Sequence, residues 1–120
     1  MKKKTYNQLV QCFFAGVDKT RYVDYSNRIS VRMNNQGVLQ YRNAAKNISE
    51  YFPEKIEDFS NLLFNEDAKI RICCAVCLVE LMSCSKKQRE LAINTVKNYI
   101  QTTSAPSEKR GFSIWMENHK

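Results

Sequence analysis

The sequence predicts an all-α domain of about seven helices, stacked in pairs as a short α-solenoid. Three observations carry that expectation. Apolar residues recur at steps of three and four through most of the chain, and no stretch alternates convincingly as a strand does. The segment from Asp67 to Cys84 is apolar or small on nearly every side. A helix of that kind must be buried. Its apolar part, Ile70 to Leu81, is too short to span a bilayer and is interrupted by Arg71 and Glu80, so its expected surround is protein.

In chain order, Leu9, Val10, Phe13, Phe14 and Val17 give a first amphipathic helix over residues 5–18. Tyr22, Tyr25, Ile29 and Met33 keep helical steps and predict a second helix over residues 19–34. Asn34-Asn35-Gln36-Gly37 reads as a turn. Val38, Tyr41, Ala45, Ile48 and Phe52 mark a third helix, which Pro53 stops because the residue before proline is pushed out of the α region. Ile56, Phe59, Leu62, Leu63 and Phe64 form the apolar face of a short fourth.

Asp67 is placed to cap the central helix. Ser85 is the expected cap of the next, which runs to about Gln101 through Leu91, Ile93, Val96, Tyr99 and Ile100. A Thr/Ser/Pro loop then leads to a closing helix over residues 108–118, with Phe112, Ile114, Trp115 and Met116. Residues 38–64 and 67–101 each hold an amphipathic helix, a sharp break and a second helix, the weak repeat on which the stacked architecture rests.

At 120 residues the chain is read as one domain, residues 1–120, with residues 1–4 frayed. Hydrophobic residues at 43% and charged residues at 26% argue against disorder. The formal net charge of +7 raises nucleic acid as a partner, but the charge is unevenly placed. Lys2, Lys3 and Lys4 lie at the terminus. Lys19, Arg21, Arg28, Arg32, Arg42 and Lys46 face Asp24 alone, a net of +5. Glu50, Glu54, Glu57, Asp58, Glu66 and Asp67 face only Lys55, a net of −5. Each pole can meet a different partner, or both can be solvated helix faces.

No secretory signal follows the N-terminal lysines, so the expected location is the cytoplasm. Five cysteines then read as reduced thiols. Cys73, Cys77 and Cys84 can share a helix face, but zinc needs four converging ligands and the single histidine is His119. Cysteine catalysis needs a nearby base and a thiolate-favouring setting, which an apolar helix does not supply. Gly16, Gly37 and Gly111 build no phosphate loop, and Glu54, Glu57 and Asp58 read as solvated acids. No catalytic, metal or cofactor site is therefore expected, and no enzyme activity. Tyr22, Tyr25, Tyr41, Tyr51, Tyr99 and Trp115 are either interface anchors or core residues with a wet tip.

Read together, Asp67, Ile70, Arg71, Cys74, Ala75 and Leu78 resemble the HEAT-repeat pattern: an aspartate, an aliphatic–Arg pair, two small residues and a leucine. The small pair Cys74-Ala75 lets a neighbouring helix approach, Cys74 standing where alanine is usual, and Asp67 and Arg71 tie the turn. Tyr41, Arg42, Ala44 and Ala45 give a fainter echo. Residues 5–118 as a whole resemble a small bacterial HEAT-like domain family. The features that carry this are the N-terminal helix, Tyr25-Ser-Asn-Arg28, Asn61-Leu-Leu63, and the closing helix after Gly111 with Trp115.

That family is associated with immunity proteins of contact-dependent growth inhibition and polymorphic toxin systems. The resemblance implies a cytoplasmic inhibitor that covers the active site of a cognate toxin domain, typically a nuclease, with an RNase acting on tRNA as the particular case. Glu50, Tyr51, Glu54, Glu57, Asp58, Glu66 and Asp67 are then the expected partner-binding residues, presenting negative potential to a cationic cleft. The alternatives are a nucleic-acid-binding helical repeat protein using the basic face of residues 19–46, and a general protein-interaction scaffold.

Overall fold

The computed structural model describes residues 4–21 and 23–119. The stretch expected to be buried is the helix on which the others assemble. α4 (Ala68–Leu81) buries Ile70, Ile72, Cys73, Cys74, Ala75, Cys77 and Leu78, residues from all round its circumference. It can do so because it packs against α1 (Tyr6–Asp18), α2 (Arg28–Tyr51), α3 (Ile56–Ser60) and α5 (Lys86–Thr102). Cys74 and Ala75 are wholly inaccessible, as small residues at a close packing point should be.

Local chemistry explains where the helices begin. Thr5 and Gln8 form a capping box at the start of α1, and Ser85 and Gln88 form another at the start of α5. The Asn27 side chain accepts from the Ile29 and Ser30 amides, and the Asp67 carboxylate accepts from the Lys69 amide at 2.9 Å. Pro53 ends α2 at Tyr51 and opens a 3-10 turn, Pro53–Lys55, that leads into α3. A second 3-10 turn, Asn61–Phe64, follows α3. α6 (Pro106–His119) starts on proline, whose missing N–H costs nothing at a helix start.

α1 and α2 run antiparallel: Tyr6 meets Phe52, Phe13 meets Tyr41, and Gly16 meets Gly37. α5 returns along α4 after a short connection, and α6 folds back on α5 through Tyr99 and Phe112, ring centroids 5.4 Å apart. The Trp115 indole also donates to Glu80 Oε2 at 2.9 Å, tying α6 to α4. The core is one cluster centred on Phe13, Ile48, Phe59, Ile72, Leu78 and Val96, all fully buried.

The described residues form six α-helices instead of seven, joined by 3-10 turns, turns and loops with no strand among them. Two readings are corrected. Residues 19–21 and 23–27 are turn and loop rather than the start of a helix, and Asn34-Asn35-Gln36-Gly37 lies inside the 24-residue α2 instead of breaking it. The reason is tertiary. A Cβ on Gly37 would lie 2.5 Å from the Gly16 carbonyl oxygen, and one on Gly16 would lie 2.7 Å from the Tyr41 nitrogen. Both glycines let two backbones touch where α1 crosses α2, so Gly37 is a packing residue.

The apolar spacing of residues 22–33 also has a different meaning from the one expected. Tyr25, Ile29 and Met33 are exposed, at 79%, 75% and 52%. Phe64, placed on a buried face by its spacing, is exposed as well. Tyr22 and the expected fraying of residues 1–3 lie outside the described residues.

Candidate protein-binding surfaces

The acidic residues divide into two places. Glu50 and Tyr51 close α2, Glu54 lies in the 3-10 turn that follows, and Glu57 and Asp58 occupy the first turn of α3. All five are exposed, on a sharp corner pinned by hydrogen bonds from the Phe52 amide to the Ile48 carbonyl and from the Lys55 amide to the Phe52 carbonyl. Lys55 is the cation within this run, and Lys4 lines a cleft with Tyr51, Leu9 and Asn47 beside it. Lys55 lies 3.6 Å from Asp58 and over the face of the Tyr6 ring. The corner is therefore an exposed, acid-rich surface with the Tyr51 ring at its edge.

Glu66 and Asp67 sit elsewhere. Tyr6, at the start of α1, marks the acidic corner, whereas Asp67 pairs with Arg21 beyond the end of α1, about 20 Å away along that helix. Asp67 is engaged internally. It caps α4 and accepts from both terminal nitrogens of Arg21, at 2.6 and 3.3 Å, while Arg21 Nε holds Asp18 at 2.7 Å. Arg71 donates to the carbonyls of Asn65 and Glu66, at 2.7 and 3.1 Å, closing the turn before α4. Asp67 and Arg71 thus tie this turn together, and of this acidic pair Glu66 is the exposed member.

The Arg21 hydrogen bond pulls the Asp67 carboxyl below the usual aspartate range, and Asp67 in turn raises Arg21. Folded Asp67 keeps its charge to lower pH than the unfolded chain. The pair therefore stabilises the fold above about pH 4, and that contribution is lost as acid protonates the folded carboxyl. Asp67→Asn is expected to cost about 1 kcal/mol at neutral pH, since the pair is part-exposed. Urea midpoints measured from pH 7 down to pH 3 should converge for the two proteins.

The basic run is partly consumed inside the molecule. Arg21 is paired, Arg42 lies 3.6 Å from Glu80, and Lys19 donates to Gln40 at 2.6 Å. Arg28, Arg32 and Lys46 remain exposed on the outer face of α2, where Leu39 is 63% exposed among them. Interleaved exposed apolar residues are the feature that spacing alone misassigned, because periodicity reports a face without saying what covers it.

The cysteines are packing groups. Cys73, Cys74 and Cys77 are buried. Burial pushes the Cys73 thiol up to about 11 and raises Cys74 and Cys77 as well. Cys74 Sγ lies 3.6 Å from the Phe59 carbonyl oxygen and Cys84 Sγ 3.3 Å from that of Leu78. Among the described residues no three His, Cys, Asp or Glu side chains converge as a metal site, and no helix is long and apolar enough to cross a membrane. Tyr41 and Tyr99 are part-buried, with Tyr99 donating to Glu108 at 2.6 Å. No protein-family model, curated protein or solved structure matches the chain.

Proposed function

We propose that this chain is an inhibitory binding protein of the immunity class, a short HEAT-like helical stack that neutralises a cognate toxin domain by covering its active site in the cytoplasm. The observation that carries the reading is the exposed corner formed by Glu50, Tyr51, Glu54, Glu57 and Asp58. A nuclease cleft must be cationic to hold a polyanion, and carboxylates held at an exposed corner can take the place of phosphates there. Tyr51 supplies a rigid ring at the edge of the patch, the residue type that anchors interfaces. In this reading the chain performs no chemistry: α4/α5 is the expected pair over residues 67–101, α1/α2 replaces the expected pair over residues 38–64 because α2 packs on α1, and the corner lies at one end of α1/α2.

The overall charge of +7 does not oppose this. Arg28 and Arg32 lie about 27 Å or more from Glu50 along α2, more than three screening lengths of about 8 Å at physiological salt. Lys46, one turn from Glu50, and Lys55 are the basic residues of residues 19–67 that reach the corner. A cationic cleft therefore meets the local field of the corner rather than the net charge. The reading as a nucleic-acid-binding repeat is weakened because Arg21 and Arg42 already face Asp18, Asp67 and Glu80.

The test is co-expression with the toxin domain that this reading expects to be encoded beside this gene. Protected growth and co-purification are expected, with protection weakened by Glu54→Lys, Glu57→Lys and Asp58→Lys together. Growth arrest despite soluble, folded wild-type chain would contradict the reading.

A further inference from the structure

We propose that the N-terminal part of α2 is a second docking surface, built to receive an acidic amphipathic helix from a partner protein. α1 ends at Asp18 near the Gly16–Gly37 contact, whereas α2 continues for nine residues, Arg28 to Gln36, beyond Gly37. That is an overhang of about 13 Å. At 100° per residue, positions 29, 33, 37, 44 and 48 follow one side of the helix. α1 packs on that side at Gly37, and Ala44 and Ile48 are buried, but Ile29 and Met33 beyond it are 75% and 52% exposed. The packing stripe therefore runs on past the helix that covers it.

On the adjoining, outer face of α2 lies a shallow cleft of about 520 Å³ lined by Tyr25, Arg28, Val31, Arg32 and Leu39 among others. Neither arginine has an ion-pair partner among the described residues. Asp24, the acid next to them in sequence, is turned to the Ser26 amide and hydroxyl at 3.0 and 2.6 Å. The exposed Ile29–Met33 row is thus bordered along one side by two open cations, Arg28 and Arg32, with Leu39 on their own face. Phosphate groups would satisfy the arginines and leave Ile29, Met33 and Leu39 wet. An amphipathic helix with an apolar stripe bordered by carboxylates satisfies both, and anchors four residues apart on a helix are what such a ligand meets. This surface is separate from the acidic corner and does not depend on the toxin reading.

The probe is a fluorescent helical peptide of about 16 residues, with leucines at helical spacing and flanking glutamates, titrated into the full chain by anisotropy. Saturable binding in the micromolar range is expected, weakening with salt. Arg28→Glu with Arg32→Glu should weaken it at least about tenfold, and Ile29→Asp with Met33→Asp should abolish it. All four side chains are exposed, so these variants should keep the wild-type circular dichroism and midpoint. Glu54→Lys with Glu57→Lys should leave peptide binding intact. The proposal is overturned by any of four results: no saturable binding, equal binding of a lysine-flanked peptide, tighter binding of single-stranded RNA, or sedimentation showing a dimer that Ile29→Asp dissociates.

Discussion

Gly37→Ala is expected to destabilise the fold by about 3 kcal/mol, lowering the thermal midpoint by about 12 °C for a chain of this size. In an ordinary helix interior the same change is favourable by about 0.5–1 kcal/mol. Here the added carbon would sit 2.5 Å from the Gly16 carbonyl oxygen and 2.7 Å from Lys19 Cβ. Neither is the free end of a flexible side chain, so α1 and α2 must move apart. Gly111 in α6 is the internal control. Nothing lies within 4 Å of a Cβ there, and Gly111→Ala should stabilise the protein. Opposite signs at the two positions, read by calorimetry, would establish the close crossing; equal small effects would exclude it.

Phe13→Ala should cost about 4 kcal/mol. The ring is wholly buried and meets Phe14, Tyr41 and Phe59 edge to face, at centroid distances of 6.1, 5.7 and 5.1 Å. Truncation loses the transfer energy of the ring, leaves a cavity, and removes the edge-to-face contacts. Phe64, of the same chemistry but 71% exposed, should tolerate alanine within about 0.5 kcal/mol. Urea unfolding of both variants separates the two cases.

These effects also mark what a linear sequence can reveal. Signals contained within a few residues were legible: the Asp67 and Ser85 caps, the stop at Pro53, the all-round burial of α4, and the acidic run from Glu50 to Asp58. What was not legible depends on partners far away in the chain. Gly37 carries turn chemistry locally, and only Gly16 on another helix makes it a helical packing residue. Asp67 reads locally as a cap and a partner-binding acid, and its pairing with Arg21, 46 positions earlier, emerges only in the fold. Ile29 and Met33 share the spacing of a buried stripe, yet the helix that would cover them ends too soon.

The proposed toxin neutralisation through the acidic corner is tested most directly by the association rate constant with whatever toxin domain the co-expression experiment identifies as the partner. It should be measured by stopped flow at low and high salt, for the wild type and for the variant carrying Glu54→Lys, Glu57→Lys and Asp58→Lys. Steering by that corner requires the variant to associate at least about tenfold more slowly at low salt, with the gap closing as salt is raised. Equal rates at both salt concentrations would contradict it.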